Sequence, residues 1–125
     1  MYTVIPYFYR DAANYKENSE IVLDGELSSA EVAAVQNKLS DDEFFIPGDL
    51  RGLDIEELQP RLQSFPSEDD HVYHTLSLEE LKLQESVPEG TFVISKEEFV
   101  NAFNKIATSE SWDIEACMTR LDIPV

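Results

Sequence analysis

The chain predicts an α+β fold, a small mixed or antiparallel sheet of about four to five strands with two to four helices packed on it. Three observations point there. Short runs of β-branched and aromatic residues recur along the sequence. Ser-x-x-Glu capping signals stand directly before helical periodicity. The two kinds of segment do not alternate strictly, which disfavours a doubly wound parallel sheet. At 125 residues, 42% of them apolar and with 7 Phe and 5 Tyr, the chain has material for a core and reads as one domain over 1–125.

Residues 2–9, YTVIPYFY, predict a first strand. Pro6 has no N–H for a ladder bond and pushes that strand toward a sheet edge or a bulge. The polar run 10–19 reads as a loop. Residues 20–27, EIVLDGEL, return as a second strand, with Gly25 as a candidate bulge. Ser28 and Glu31 form a capping box, with Leu27 and Val32 as its hydrophobic staple. Val32, Val35 and Leu39 then share one face of a helix over about 29–39. It ends in Asp41-Asp42-Glu43, although acids past a helix C-terminus oppose its dipole.

Glu43–Ile46 predicts a short strand stopped by the turn Pro47-Gly48-Asp49. Asp54 and Glu57 suggest a weak cap for a helix near 55–59, and Pro60 either limits that helix or starts a separate turn. Residues 64–70 are an acidic loop, and His71–Leu76 alternates as a strand. Over 77–90 one helical turn precedes a short strand and the turn Pro88-Glu89-Gly90. Thr91–Ile94 predicts a buried strand. Ser95 with Glu98, and Ile94 with Phe99, give the strongest helix start, followed by Phe99, Phe103 and Ile106 on one face. A last helix over about 112–121 aligns Ile114, Cys117, Met118 and Leu121, and Pro124 stops it.

Charge is unevenly spread. The net charge is −17, of which residues 41–90 carry −11 with Arg51, Arg61 and Lys82 as their only bases. Such a field repels nucleic acid and anionic membrane and attracts basic partners. The lone Cys117 excludes an internal disulfide and favours a reducing compartment. The opening residues MYTVIPYFYRD lack the charged and unbroken apolar regions of a secretory leader, so none is expected, and no stretch approaches about 20 apolar residues. A soluble, cytoplasmic protein is the expectation.

Chemistry-bearing motifs are weak. His71 and His74 lie near Asp69 and Asp70, but in a strand they point to opposite faces, so two ordinary strand histidines outweigh a metal pair. No EF-hand loop, phosphate-cradling glycine loop or G-x-S-x-G stretch occurs. Cys117 lies on an apolar helix face and reads as a small buried hydrophobe. Neither catalysis nor a cofactor is expected. Tyr2, Tyr7, Phe8, Tyr9 and Tyr15 form a recognition surface or simply a normal sheet face.

The acids of the central stretch admit two readings. They keep the protein soluble, with a partial halophile signature in the scarce lysines. Alternatively they imitate polyphosphate before a basic cleft, which releases counterions and steers association. The leading expectation is a non-catalytic acidic interaction module that occludes the basic surface of a nuclease or another nucleic-acid-handling enzyme. Phage or plasmid anti-defence inhibitors and nuclease immunity proteins offer an analogy of surface. The contact residues would be Asp41, Asp42, Glu43, Asp49, Glu56, Glu57, Glu68, Asp69 and Asp70, through charge-assisted bonds to Lys and Arg. The rivals are a ligand-binding or accessory enzyme domain with a pocket of Tyr7, Tyr9, Tyr73 and a carboxylate, and a homodimer through the N-terminal edge strand.

Overall fold

The computed structural model describes residues 1–124. A hairpin organises it. β1 (Tyr2–Arg10) and β2 (Lys16–Asp24) pair antiparallel from Tyr2 opposite Asp24 to Arg10 opposite Lys16. Their connection is shorter than the polar run suggests. Asp11 N–H donates to the Tyr15 carbonyl at 3.0 Å, and Asp11 Oδ1 accepts from Tyr15 N–H at 2.9 Å. Asn14 takes the left-handed conformation with φ 70°, which a short amide side chain tolerates. Lys16–Ser19 therefore extend the second strand, because cross-strand pairing overrides their weak β-propensity.

On its other side β1 meets two short strands. β4 (His74–Leu76) pairs with Tyr7 and Phe8, and β5 (Lys82–Gln84) pairs with Tyr2–Val4. β3 (Phe44–Phe45) pairs antiparallel with β4, and β6 (Ile94–Ser95) runs parallel to the end of β2. The order of the six-stranded mixed sheet is β3-β4-β1-β2-β6, with β5 beside β1. With its three α-helices among the described residues, the molecule is an α+β fold.

Pro6 does not put β1 at an edge. Its carbonyl accepts from Ser77 N–H at 2.9 Å, and within a strand N and C=O of one residue face the same way. Its nitrogen thus faces the gap between β4 and β5, where the 3-10 turn Leu78–Glu80 leaves no acceptor waiting. The expected helical turn and short strand over 77–84 are present. The strand expected over 91–94 shrinks to Ile94–Ser95, and Phe92 is 59% exposed.

α1 (Ser29–Gln36) carries the full capping box: Ser28 Oγ accepts from Glu31 N–H at 3.1 Å, and Glu31 Oε1 accepts from Ser28 N–H at 2.9 Å. α2 (Lys96–Asn104) starts at Ser95, whose hydroxyl accepts from Glu98 N–H at 3.4 Å. α3 (Ile114–Leu121) is capped by Asp113, whose Oδ1 accepts from Ala116 N–H at 3.1 Å. Ile114 lies off its buried face, at 42% exposure. The helix expected near 55–59 is absent. Asp54 sits at φ 56°, a turn conformation instead of an N-cap, and Pro60 opens the 3-10 turn Gln59–Arg61.

The core fills the face of the sheet that carries Ile5, Tyr7, Tyr9, Ile21 and Leu23. Phe45, Phe99, Phe103 and Trp112 pack over it, with ring centroids 5.0–6.5 Å apart along the chain of contacts. Each such ring contributes roughly 2–3 kcal/mol of burial. Trp112 Nε1–H donates to the Lys38 carbonyl at 2.9 Å and ties the start of α3 to the end of α1.

Candidate functional site

The nine acids divide by what their oxygens touch. Asp49, Glu57 and Asp70 are engaged inside the fold, and Glu56, itself exposed, is paired on the surface with Arg61. Asp49 Oδ2 accepts from Asp113 N–H at 2.6 Å, and its burial raises its pKa against that bond. Glu57 makes a forked ion pair with Arg120 at 2.8 Å and also accepts from Cys117 Sγ at 3.2 Å. Together they clamp α3 onto the segment after β3. Gly48 passes directly beneath this pair, where a Cβ would collide with the Arg120 guanidinium and Glu57. Glu56 holds Arg61 through two bonds of 2.7 and 2.8 Å, and that contact lowers its pKa.

Asp70 is buried. Its Oδ1 accepts from the Tyr9 hydroxyl at 2.6 Å and its Oδ2 from Ser67 N–H at 2.9 Å. The Tyr9 oxygen in turn accepts from His71 N–H at 3.1 Å. Burial, then the Asp70 carboxylate, raise the Tyr9 pKa. A buried carboxylate therefore exists, and it pins the 67–71 loop to β1. Charge pattern alone gave no signal for the roles of Asp49, Glu57 and Asp70, which depend on contacts more than 60 residues apart or on backbone donors; only the Glu56–Arg61 pair is local.

Asp41, Asp42, Glu43, Glu68 and Asp69 are exposed. The ion pairs among the described residues are Glu56–Arg61, Glu20–Lys82, Glu31–Lys96 and Glu57–Arg120, so none of these five is neutralised. They occupy two turns. Asp41 and Asp42 take φ 49° and 63° in the reversal that closes with Ser40 bridging Phe44. The puzzle of acids after α1 resolves here: Asp enters left-handed backbone more readily than most residues. Among the described residues every positive-φ residue other than glycine is Asn or Asp: Asn14, Asp41, Asp42, Asp54 and Asp122. Part of the acidity is thus conformational in origin. Glu68 and Asp69 lie on the other turn, where Asp69 C=O accepts from Ala12 N–H at 2.9 Å.

A groove of about 500 Å³ lies on the outer face of the sheet, lined by Phe8, Phe44, Tyr73 and Thr75. Glu43 stands at one end, Arg10 and His71 at the other. Lys16 Nζ and the Arg10 guanidinium lie 4.2 and 5.6 Å from the Phe8 ring centre, within cation–π reach. The His71 ring is spent on the backbone: Nδ1 accepts from Tyr73 N–H at 3.1 Å, and Nε2 meets the Arg10 carbonyl at 2.6 Å.

Tyr7 and Tyr9 do not join Tyr73 here. They are 2% and 0% exposed on the opposite face. Tyr7 donates to the Glu56 carbonyl at 2.8 Å, and burial pushes its pKa up to about 12. His74 is fully buried beside them. Its Nε2 accepts from Leu58 N–H at 2.9 Å, and burial pulls its pKa down to about 3. No group of three or more His, Cys, Asp or Glu side chains fit to hold a metal ion occurs among the described residues.

A second concavity, about 650 Å³, follows the outer edge of β2 between that strand, Asp54–Glu56 and Thr91–Phe92. β6 covers β2 only at Leu23 and Asp24, so residues 16–22 have no strand neighbour on that side. Among the described residues no helix is long and apolar enough to cross a membrane. Cys117 is fully buried, and burial followed by the Glu57 carboxylate raises its pKa, which suppresses thiolate chemistry. No protein-family model, no curated protein and no solved structure matches this chain.

Proposed function

We propose that the protein is a non-catalytic binding module that covers a basic protein surface, that of a nuclease or another nucleic-acid-handling enzyme. One observation carries this reading: Asp41, Asp42, Glu43, Glu68 and Asp69 remain exposed without a cation partner, while their neighbours in sequence are consumed by the fold. Held on two turns, with Glu43 lining an aromatic groove, they offer fixed negative charge with little ordering cost on binding. A cytoplasmic location belongs to the same reading and rests on the lone, buried Cys117. An inhibitor of a host defence nuclease, or an immunity protein, is the biological setting that fits.

The test is titration against a panel of basic nucleases at low and high salt, with DNA as competitor. Binding that weakens with salt and is displaced by DNA is expected. Changing Asp41, Asp42 and Glu43 together to Lys should slow association and flatten its salt dependence. Unchanged affinity in that variant overturns the assignment.

A second reading, a small-ligand site, is favoured by the outer groove alone, where Phe8, Phe44 and Tyr73 meet Arg10. Saturable binding of an aromatic carboxylate that is lost in Tyr73→Ala would favour it instead.

A further inference from the structure

The hairpin register determines where the backbone groups of β2 point. Asp11 and Tyr15 form a hydrogen-bonded pair, and such pairs fall at every second position of an antiparallel ladder. Tyr9–Glu17, Tyr7–Ser19, Ile5–Ile21 and Thr3–Leu23 therefore carry the bonds. Asn18, Glu20 and Val22 turn their N–H and C=O groups away from β1. The geometry agrees, since Arg61 reaches the Asn18 carbonyl from outside at 3.4 Å. Among the described residues the amides of Asn18 and Glu20 have no partner.

This free edge opens into the 650 Å³ cleft. Arg61 closes it at Asn18 and Ile94 closes it at the Val22 end. The span between them is about 14 Å at the usual rise per residue, room for a short extended segment. Ile21 and Ile55 offer apolar contact, and Phe92 stands exposed on the rim. The charged residues lining the cleft are Glu20, Asp54 and Glu56, all acidic; Asp54 has no cation partner among the described residues, Glu20 meets Lys82 only at 3.9 Å, and Glu56 is held by Arg61.

We propose that an extended, Lys- or Arg-bearing segment of a basic partner docks here by adding a strand to β2. The inference rests on the acidic-module reading and names how the partner engages it. Strand addition takes its affinity from main-chain bonds and its selectivity from alternate side chains. On the inner side the segment meets Ile21 and Ile55 with Asp54 and Glu56 beside them, and on the outer side its cations pass Glu20. A second copy of this chain is the weaker occupant, because a net charge of −17 repels it and charged residues on an edge guard against self-pairing.

The probe is a labelled decapeptide of alternating Lys and Val, compared with a Lys-Pro peptide of equal charge that cannot form a ladder. The variants are Glu20→Gln, which removes charge only, and Glu20→Pro, which also removes the outward N–H while leaving the bonds to β1 intact. Expected are binding of the Lys-Val peptide, loss of about tenfold in Glu20→Pro relative to Glu20→Gln, and new exchange protection at the Asn18 and Glu20 amides. If Glu20→Pro does not fold, that protection decides alone. Equal affinity for both peptides overturns strand addition and leaves the acidic-surface reading to the nuclease panel. No binding of either peptide overturns it too, as does a dimer in sedimentation that protects the same amides without peptide.

Discussion

The two flanks of the sheet are built on opposite plans. On the β3–β4 flank the strands are two and three residues long, and every inward side chain is anchored: Phe45 against Tyr7, His74, Phe103 and Trp112, and His74 on Leu58. On the β2 flank the strand is nine residues long and most of its outer edge is bare. Short strands expose few ladder groups, and a long unpaired one exposes many. Stability is concentrated on the first flank and unused hydrogen-bonding capacity on the second.

The largest effect should come from breaking the anchored flank. Phe45→Ala is expected to cost about 3–5 kcal/mol, read from urea unfolding; a cost comparable to a surface change would mean that β3 is not fastened to the core.

His74 makes the same flank sensitive to acid. Its folded pKa, near 3, lies below the ordinary 6.5. The unfolded chain therefore binds the extra proton first. The contribution of neutral His74 is complete above about pH 6.5 and falls as pH drops toward 3, with a limiting slope of about 1.4 kcal/mol per pH unit. His74→Phe should lose that slope while exposing the unmet Leu58 N–H as a pH-independent penalty of about 1–3 kcal/mol. Identical pH profiles for the two proteins would contradict a buried neutral imidazole.

Tyr9→Phe should cost about 1–3 kcal/mol by taking a donor from the buried Asp70. Adding Asp70→Asn should recover part of it, a coupling measurable by a double-mutant cycle. Additive losses would separate the two residues.

On the bare flank, Asn18→Ala should stay within about 0.5 kcal/mol of the parent. Hydrogen exchange sharpens the contrast without any substitution: Glu17, Ser19 and Ile21 amides protected, Asn18 and Glu20 amides open. Uniform protection along β2 would mean that something else already pairs with its edge.

What was legible in the sequence was local. The Ser28–Glu31 box, the Ser95 half of the box with Glu98 and the turn Leu78–Glu80 depend on residues within one turn of each other; the first and last stand as read, whereas Glu98 does not return the bond to Ser95. What stayed hidden was distant. Pro6 looked like an edge marker because the interruption that accommodates it lies some 70 residues later. Thr91–Val93 looked buried by composition, yet Ile94 alone of that run reaches the core. At the candidate site, exposure of Asp41–Glu43 followed from their turn, whereas Glu57 and Asp70 gave no local hint of Arg120 and Tyr9.

Pro6 has one more effect. No strand can lie unbroken along that side of β1, so β4 and β5 are separate ladders with a seam between them. β5 is short and largely exposed, and nothing in its pairing obliges β4 to leave when it does. Such independence is the basis of partial opening in folded proteins. Were β5 to open alone, Tyr2–Val4 would become a second bare stretch while the aromatic flank stayed shut, a change of surface that leaves the core in place.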